Sequence, residues 1–171
     1  MSGRPITLVV MLTGVSLLTL TMTAKPRPRV VWNASGSVPI GLYSVEPVRQ
    51  LAVTNLVVAA PQQPLAAFLA ERGYLPLGVP LIKRILALPG QSVCRNDLAI
   101  SVDGIDMGMA LARDRHDRAL PVWQGCRVIA QGEVFLMNRD EPASLDGRYF
   151  GPIPSSAIIG RATPLWTFEE H

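Results

Sequence analysis

The chain has 171 residues, 49% apolar and 17% charged, which suits one compact domain with an appendage and excludes two full enzyme domains or a disordered chain. Its formal net charge is only +3, carried by arginines spread along the chain with lysine at Lys25 and Lys83 alone, which excludes a charge-driven nucleic-acid binder. Cys94, Cys126 and His116 form no close ligand pairs, so most zinc frameworks are excluded, and no metal or cofactor is expected.

Ile6 to Ala24 reads ITLVVMLTGVSLLTLTMTA, nineteen residues without a charge. At about 1.5 Å per residue such a helix just spans a hydrocarbon core of about 30 Å. Arg4 precedes it, and Lys25, Arg27 and Arg29 follow among prolines. A cleaved secretory signal has a shorter apolar core, about 7–15 residues. Cleavage after Ala24 would also place Met22 at the −3 position, where a small residue is required. The expectation is therefore a retained membrane anchor with its basic flank over residues 1–29 and one domain over 30–171.

Beyond residue 30 the apolar runs are short and punctuated by turn residues, which predicts a mainly β domain. Gly41–Val48, Asn55–Ala59 and Pro80–Leu88 read as strands, the last stopped by Pro89-Gly90. Leu98–Val102 and Ile105–Met109 flank Asp103-Gly104, a strong two-residue hairpin signal. Arg127–Ala130 and Glu133–Met137 flank Gln131-Gly132 and read as a second hairpin, and Ala157–Arg161 with Leu165–Phe168 can close the sheet. One short helix interrupts the pattern, opened by Pro64, running through Leu65–Glu71 and ended by Gly73. Met107–Arg118 is a charged excursion that reads as a surface loop.

Three segments carry possible chemistry. In Ser35-Gly36-Ser37-Val38-Pro39 a hydroxyl beside a glycine leaves room for a carbonyl to approach the backbone, and the proline fixes the exit of the chain. Alone, the same residues make an ordinary loop. In Pro80–Leu88, strand alternation puts Lys83 in one row with Leu81, Ile85 and Ala87. An apolar row disfavours the ammonium, and a lysine base needs a fall from about 10.4 to about 7–8, roughly 4 kcal/mol of desolvation. The competing reading is an edge lysine that snorkels to water. The third segment, Asn138-Arg139-Asp140 followed by Ser144-Leu145-Asp146-Gly147-Arg148-Tyr149-Phe150-Gly151, can form a polar network or a plain turn with a surface ion pair. A serine nucleophile needs a base, and histidine is poorly supplied: His116 sits among charges and His171 ends the chain. A Ser–Lys pair is the alternative used on unrelated folds.

Taken in order after one apolar segment, these three stretches resemble the type I signal peptidases. Ser37-Val-Pro-Ile-Gly-Leu-Tyr43 and Arg72-Gly-Tyr-Leu-Pro76 ahead of Pro80-Leu-Ile-Lys83 more closely resemble the conjugative-transfer (TraF-type) branch of that clan. The resemblance covers residues 30–168. It implies a signal-peptidase/LexA-like catalytic β core on a single N-terminal transmembrane helix. It further implies that Ser37 is the nucleophile, Lys83 the general base and Ser35 an oxyanion-hole partner of the Ser37 N–H. Ser144 would orient the lysine amine, and Asp146 and Arg148 would form the supporting ion pair. Two departures stand out: proline follows Ser37 after one residue rather than two, and Glu141-Pro142-Ala143 sets Ser144 two residues further from the Asn-Arg-Asp box.

The activity so implied is a membrane-anchored serine endopeptidase that processes exported proteins, with a conjugative pilin precursor as substrate and hydrolysis or cyclisation as the resolving step. It also implies a bacterial inner-membrane, single-pass protein whose catalytic domain faces the periplasm. Three basic residues after the apolar segment against one before it favour the opposite orientation, by a small margin. In an oxidising periplasm Cys94 and Cys126 would be bridged, whereas two buried free thiols would suit either compartment. The rival readings are a housekeeping signal peptidase I and a non-catalytic pilus or secretion assembly factor. A self-cleaving repressor of the LexA type shares the Ser–Lys core, but an apolar segment stands where its DNA-reading domain would be.

Overall fold

The computed structural model describes residues 4–23 and 28–168. An N-terminal helix, α1 (Arg4–Thr23), carries the apolar sequence, and its side chains from residue 5 to residue 19 are exposed. Among the described residues no helix is long and apolar enough to cross a membrane. Ala24, Lys25 and Arg27, which end and flank the expected anchor, lie outside the described residues, as does His171.

The domain is mainly β, as expected, with two sheets. Its strands in chain order are β1 (Val30–Asn33), β2 (Ile40–Glu46), β3 (Leu56–Ala59), β4 (Leu81–Ala87), β5 (Ser92–Asn96), β6 (Ala99–Val102), β7 (Ile105–Met109), β8 (Gly125–Val128), β9 (Glu133–Leu136), β10 (Ile153–Pro154) and β11 (Ile158–Phe168). A seven-stranded sheet runs β1-β2-β11-β3-β4-β9-β10, and a four-stranded sheet runs β7-β6-β5-β8. The helix α2 (Leu65–Glu71) follows β3, and Gly73 ends it with a positive φ of 68° that glycine adopts without strain. A four-residue helix, α3 (Gly147–Phe150), follows β9.

Strand β4 lies between β3 and β9, and its alternating side chains feed two apolar clusters. Ile82 packs with Val38, Tyr43, Val58 and Ala162, while Ile85 packs with Val57, Ala59, Val134 and Leu136. An irregularity in the β4–β9 pairing between Ile85 and Ala87 breaks the expected row, so Leu86 and Ala87 instead join Val93, Ile100, Ile129, Phe135 and Met137 in a third cluster. Burying each of the larger aliphatic and Phe side chains contributes roughly 1.5–3 kcal/mol, and this third cluster joins the two sheets.

The Asp103-Gly104 hairpin forms as predicted, with Val102 opposite Ile105 and both turn residues at positive φ. The predicted Gln131-Gly132 hairpin does not. Strand β8 pairs with β5 in the small sheet, whereas β9 pairs with β4 and β10 in the large one. Ile129, 1% exposed, is drawn into the third cluster, and the chain then crosses between sheets through Gly132 at φ 82°. The two predicted C-terminal segments are one strand, β11, which runs through a bulge between Pro164 and Trp166. Strand β1 was hidden among basic residues and prolines, and pairs with β2.

The charged loop expected at Met107–Arg118 begins three residues later, after β7 ends at Met109. Buried Ala110 and Leu120 pin its ends, and Tyr74 donates to Asp114, which also pairs with Arg118 at 2.7 Å.

Candidate active site

The loop between β1 and β2 holds Ser35 and Ser37 and is organised from inside by Asn33, the last residue of β1. Asn33 is 7% exposed. Its Nδ2 donates to the carbonyls of Ser35 (2.7 Å), Val38 (2.9 Å) and Pro39 (3.1 Å). Its Oδ1 accepts from the Ser35 backbone N–H at 3.3 Å and the Ser35 hydroxyl at 3.0 Å. The two serine Oγ atoms are 3.2 Å apart. With the Ser35 proton on Asn33, it is Ser37 that donates to Ser35 in this arrangement.

The rest of the Ser37–Tyr43 stretch serves the same loop. The Tyr43 hydroxyl donates to the Pro39 carbonyl at 2.6 Å. Gly41 is required because a Cβ there would lie 2.1 Å from the Trp166 carbonyl oxygen. A side chain at this point would part β2 from β11 and move the loop with it.

Lys83 sits on β4 opposite Val57 and is 4% exposed, so it does not snorkel. Its Nζ donates to Ser144 Oγ at 2.7 Å. Burial pulls the Lys83 pKa down from its ordinary 10.5 to about 8, against an opposing pull from the Asp146 carboxylate. A lysine in this state has a neutral fraction near neutral pH that a solvated lysine lacks.

Ser144, Asp146 and Arg148 come from the turn that leads into α3, and all three are buried. Asp146 caps α3 by accepting from the Arg148 backbone N–H at 3.2 Å. The same carboxylate takes Arg148 Nε and Nη2, each at 2.9 Å, and the Asn138 N–H at 3.1 Å. Arg148 Nη2 also donates to the carbonyls of Asn138 (3.1 Å), Glu141 (2.7 Å) and Ser144 (3.2 Å). This bidentate pair is thus no surface ion pair but the centre of a buried network.

The two extra residues before Ser144 are absorbed in successive turns, Glu141 N–H to the Asn138 carbonyl at 3.3 Å and Ser144 N–H to the Glu141 carbonyl at 3.1 Å. Gly147 lets the turn press on β9, since a Cβ would meet the Leu136 carbonyl and the Phe135 ring at 2.7 Å.

A cleft of about 450 Å³ opens at Ser37, with Pro39, Ile40 and Phe168 on an apolar wall and Arg84, Asp140 and Glu141 on a charged one. Asn138 joins the two halves: its side chain donates to the Ser37 carbonyl at 2.7 Å and accepts from the Arg84 N–H at 2.9 Å. Sequence reasoning placed Asn138 in a motif without a task and passed over Asn33. The signal for Asn33 was an amide two residues ahead of Ser-Gly-Ser, a spacing suited to bonding the turn that follows.

His116 lies on the exposed part of the charged loop. Among the described residues no group of His, Cys, Asp and Glu side chains could hold a metal ion. Cys94 and Cys126 are joined as a disulfide across the paired strands β5 and β8.

The sequence profile described as signal peptidase, peptidase S26, matches residues 3–166. A conjugal transfer protein TraF of Agrobacterium fabrum is 40% identical over 149 residues, covering 80% of this chain and 82% of that one. A plasmid transfer protein TraF of Escherichia coli is 33% identical over 147 residues, with 80% and 82% covered. A crystal structure of a signal peptidase I from Enterococcus faecalis aligns with 68% of this chain and 99% of its own, at a TM-score of 0.41 and 17% identity.

Proposed function

The chain belongs to the signal peptidase family, peptidase S26, and from that premise we propose that it is a serine endopeptidase acting through Ser37 and Lys83 on exported proteins. The observation that carries the reading is the state of Lys83. It is buried, its pKa is drawn down to about 8, and its Nζ donates to Ser144 Oγ at 2.7 Å. A structural lysine is cheaper as a snorkelling side chain, whereas a base must be able to stand neutral.

In the proposed mechanism neutral Lys83 takes the Ser37 proton as Oγ attacks the scissile carbonyl. The carbonyl carbon becomes tetrahedral and its oxygen negative. The Ser37 N–H and the Ser35 hydroxyl, turned from Asn33, hold that oxygen, each donor contributing about 3–4 kcal/mol. The tetrahedral carbon collapses, the C–N bond breaks and the Lys83 ammonium returns a proton to the leaving amine. The acyl ester on Ser37 then transfers to an incoming nucleophile, which loses its proton to Lys83, and Lys83 returns that proton to Ser37 Oγ as the ester C–O bond breaks. With water the product is linear; with the substrate's own α-amine it is a circle, and the same ester serves both.

Asp146 and Arg148 support this by fixing the turn that presents Ser144. The apolar stretch Ile6–Ala24 would anchor the chain in the inner membrane, with the domain on the periplasmic side where exported substrates emerge. The disulfide suits that compartment. The TraF relatives favour a conjugative pilin precursor as the substrate.

The test uses the purified full chain in detergent and an internally quenched peptide with small side chains at −3 and −1. The wild type should cleave it with or without EDTA, and Ser37→Ala and Lys83→Arg, both folded by circular dichroism, should not. Turnover retained by Lys83→Arg removes lysine as the base, because arginine does not deprotonate.

A further inference from the structure

We propose that Asn138 is a positioning residue that locks the Ser37 loop to the strand carrying Lys83, so that nucleophile and base keep their relative placement. The inference rests on the Ser–Lys reading above and adds to it a residue with no part in proton transfer.

Strand β9 ends at Leu136, and the next residue still pairs normally, Met137 N–H donating to the Arg84 carbonyl at 2.9 Å. The backbone then turns away, which would leave the β4 groups beside Lys83 without a strand partner. The Asn138 side chain takes them instead. Its Oδ1 accepts from the Arg84 N–H at 2.9 Å, as a backbone carbonyl would, and its Nδ2 reaches the Ile82 carbonyl at 3.4 Å. The same Nδ2 donates to the Ser37 carbonyl at 2.7 Å, from more than a hundred residues along the chain. One amide therefore grips the residues on either side of Lys83 and the backbone of Ser37.

The chemistry demands an amide. The Arg84 N–H needs an acceptor and two carbonyls need a donor, and among side chains of this length only asparagine offers both from one planar group. Aspartate would turn a carboxylate oxygen towards two carbonyls. Leucine has the shape but neither function. Asn138 is itself held at both ends of its backbone, its N–H on Asp146 Oδ2 at 3.1 Å and its carbonyl under Arg148 Nη2 at 3.1 Å. It is 3% exposed, so water does not compete for these bonds. The buried Asp146–Arg148 pair thus orients Lys83 through Ser144 and orients Ser37 through Asn138.

The experiment measures kcat, KM and the pH profile on the quenched peptide for the full chain in detergent, with Asn138→Leu and Asn138→Asp. Hydrogen exchange at Arg84 and in the Ser37 loop is followed in parallel. Val93→Ala, in the core between the sheets, calibrates what lost stability alone does to turnover. A displacement of about 1 Å at reacting atoms can cost 10²-fold, so Asn138→Leu should lose about 10²-fold in kcat with KM within about threefold. Its pH midpoint should stay near that of the wild type, because the surroundings of Lys83 Nζ are intact. Asn138→Asp should lose as much and also shift its midpoint upwards, since an added carboxylate favours the charged ammonium. Arg84 and the Ser37 loop should exchange faster in both variants.

The proposal is overturned if Asn138→Leu keeps kcat within about threefold, or if its loss matches that of Val93→Ala at an equal fall in thermal midpoint. If the wild type and Ser37→Ala cleave indistinguishably, it is the Ser–Lys reading that fails. Exchange then decides the tether by itself, and unchanged protection in Asn138→Leu overturns it.

Discussion

Replacing Lys83 by methionine should inactivate the protein and make it more stable. The side chains are similar in length, so methionine can fill the same buried position on β4 opposite Val57. In the folded chain the Lys83 pKa is about 8, against an ordinary 10.5. At about 1.4 kcal/mol per tenfold, holding the ammonium in this site at pH 7 costs on the order of 3 kcal/mol. Methionine removes that cost but leaves Ser144 Oγ without its 2.7 Å partner, a loss of roughly 1 kcal/mol. The net gain is about 2 kcal/mol, or about 4–8 °C in thermal midpoint for a domain of this size.

The pH dependence fixes the cause. Between about pH 8 and 10.5 the unfolded lysine holds a proton that the folded one has lost, so wild-type stability rises with pH across that window. Above it both forms are neutral and the advantage of methionine disappears. The assay is thermal unfolding of the full chain in detergent at several pH values, wild type against Lys83→Met. An unchanged or lowered midpoint at pH 7, or a gap that widens with pH, would refute the account of Lys83 as a base kept short of solvation.

Turnover should follow the neutral fraction of the same lysine, so kcat/KM should climb between pH 7 and 9 with a midpoint near 8; a profile flat across that range removes Lys83 from the reaction. Asp146→Asn leaves Arg148 buried without its anion and should cost about 3–5 kcal/mol, seen as a large fall in thermal midpoint; a fall of only a degree or two would show that the pair is not the centre of the network. The disulfide closes a separation of 32 residues, worth about 4 kcal/mol in the chain-entropy account, so Cys94→Ser with Cys126→Ser should unfold at lower temperature, and an unchanged midpoint would remove that contribution.

What could be read from the sequence were elements whose signal is local. Asp103-Gly104 demands a tight hairpin, and Pro64 with Gly73 brackets a helix. Lys83 was legible because strand alternation and its rarity among arginines set it apart, and its burial and its bond to Ser144 accord with that reading. Partner choice between strands was not legible. Nothing in Arg127–Ala130 says that it pairs with β5 rather than β9, because that is decided by Ile129 finding a core formed from distant residues. For the same reason Asp146-x-Arg148 looked like a surface turn: its burial comes from β9 and the end of β7 packed over it. Asn33 and Asn138 were hidden because their partners are backbone groups, which no residue type announces.

The central claim is that Ser37 forms an acyl bond with an exported substrate. Its most direct test is the intact mass of a candidate pilin from cells carrying the wild type or Ser37→Ala. The account predicts a full-length precursor in Ser37→Ala cells and a trimmed product with the wild type, either linear or lighter by one water if the chain end has closed on itself. Identical processed pilin in both strains would contradict it.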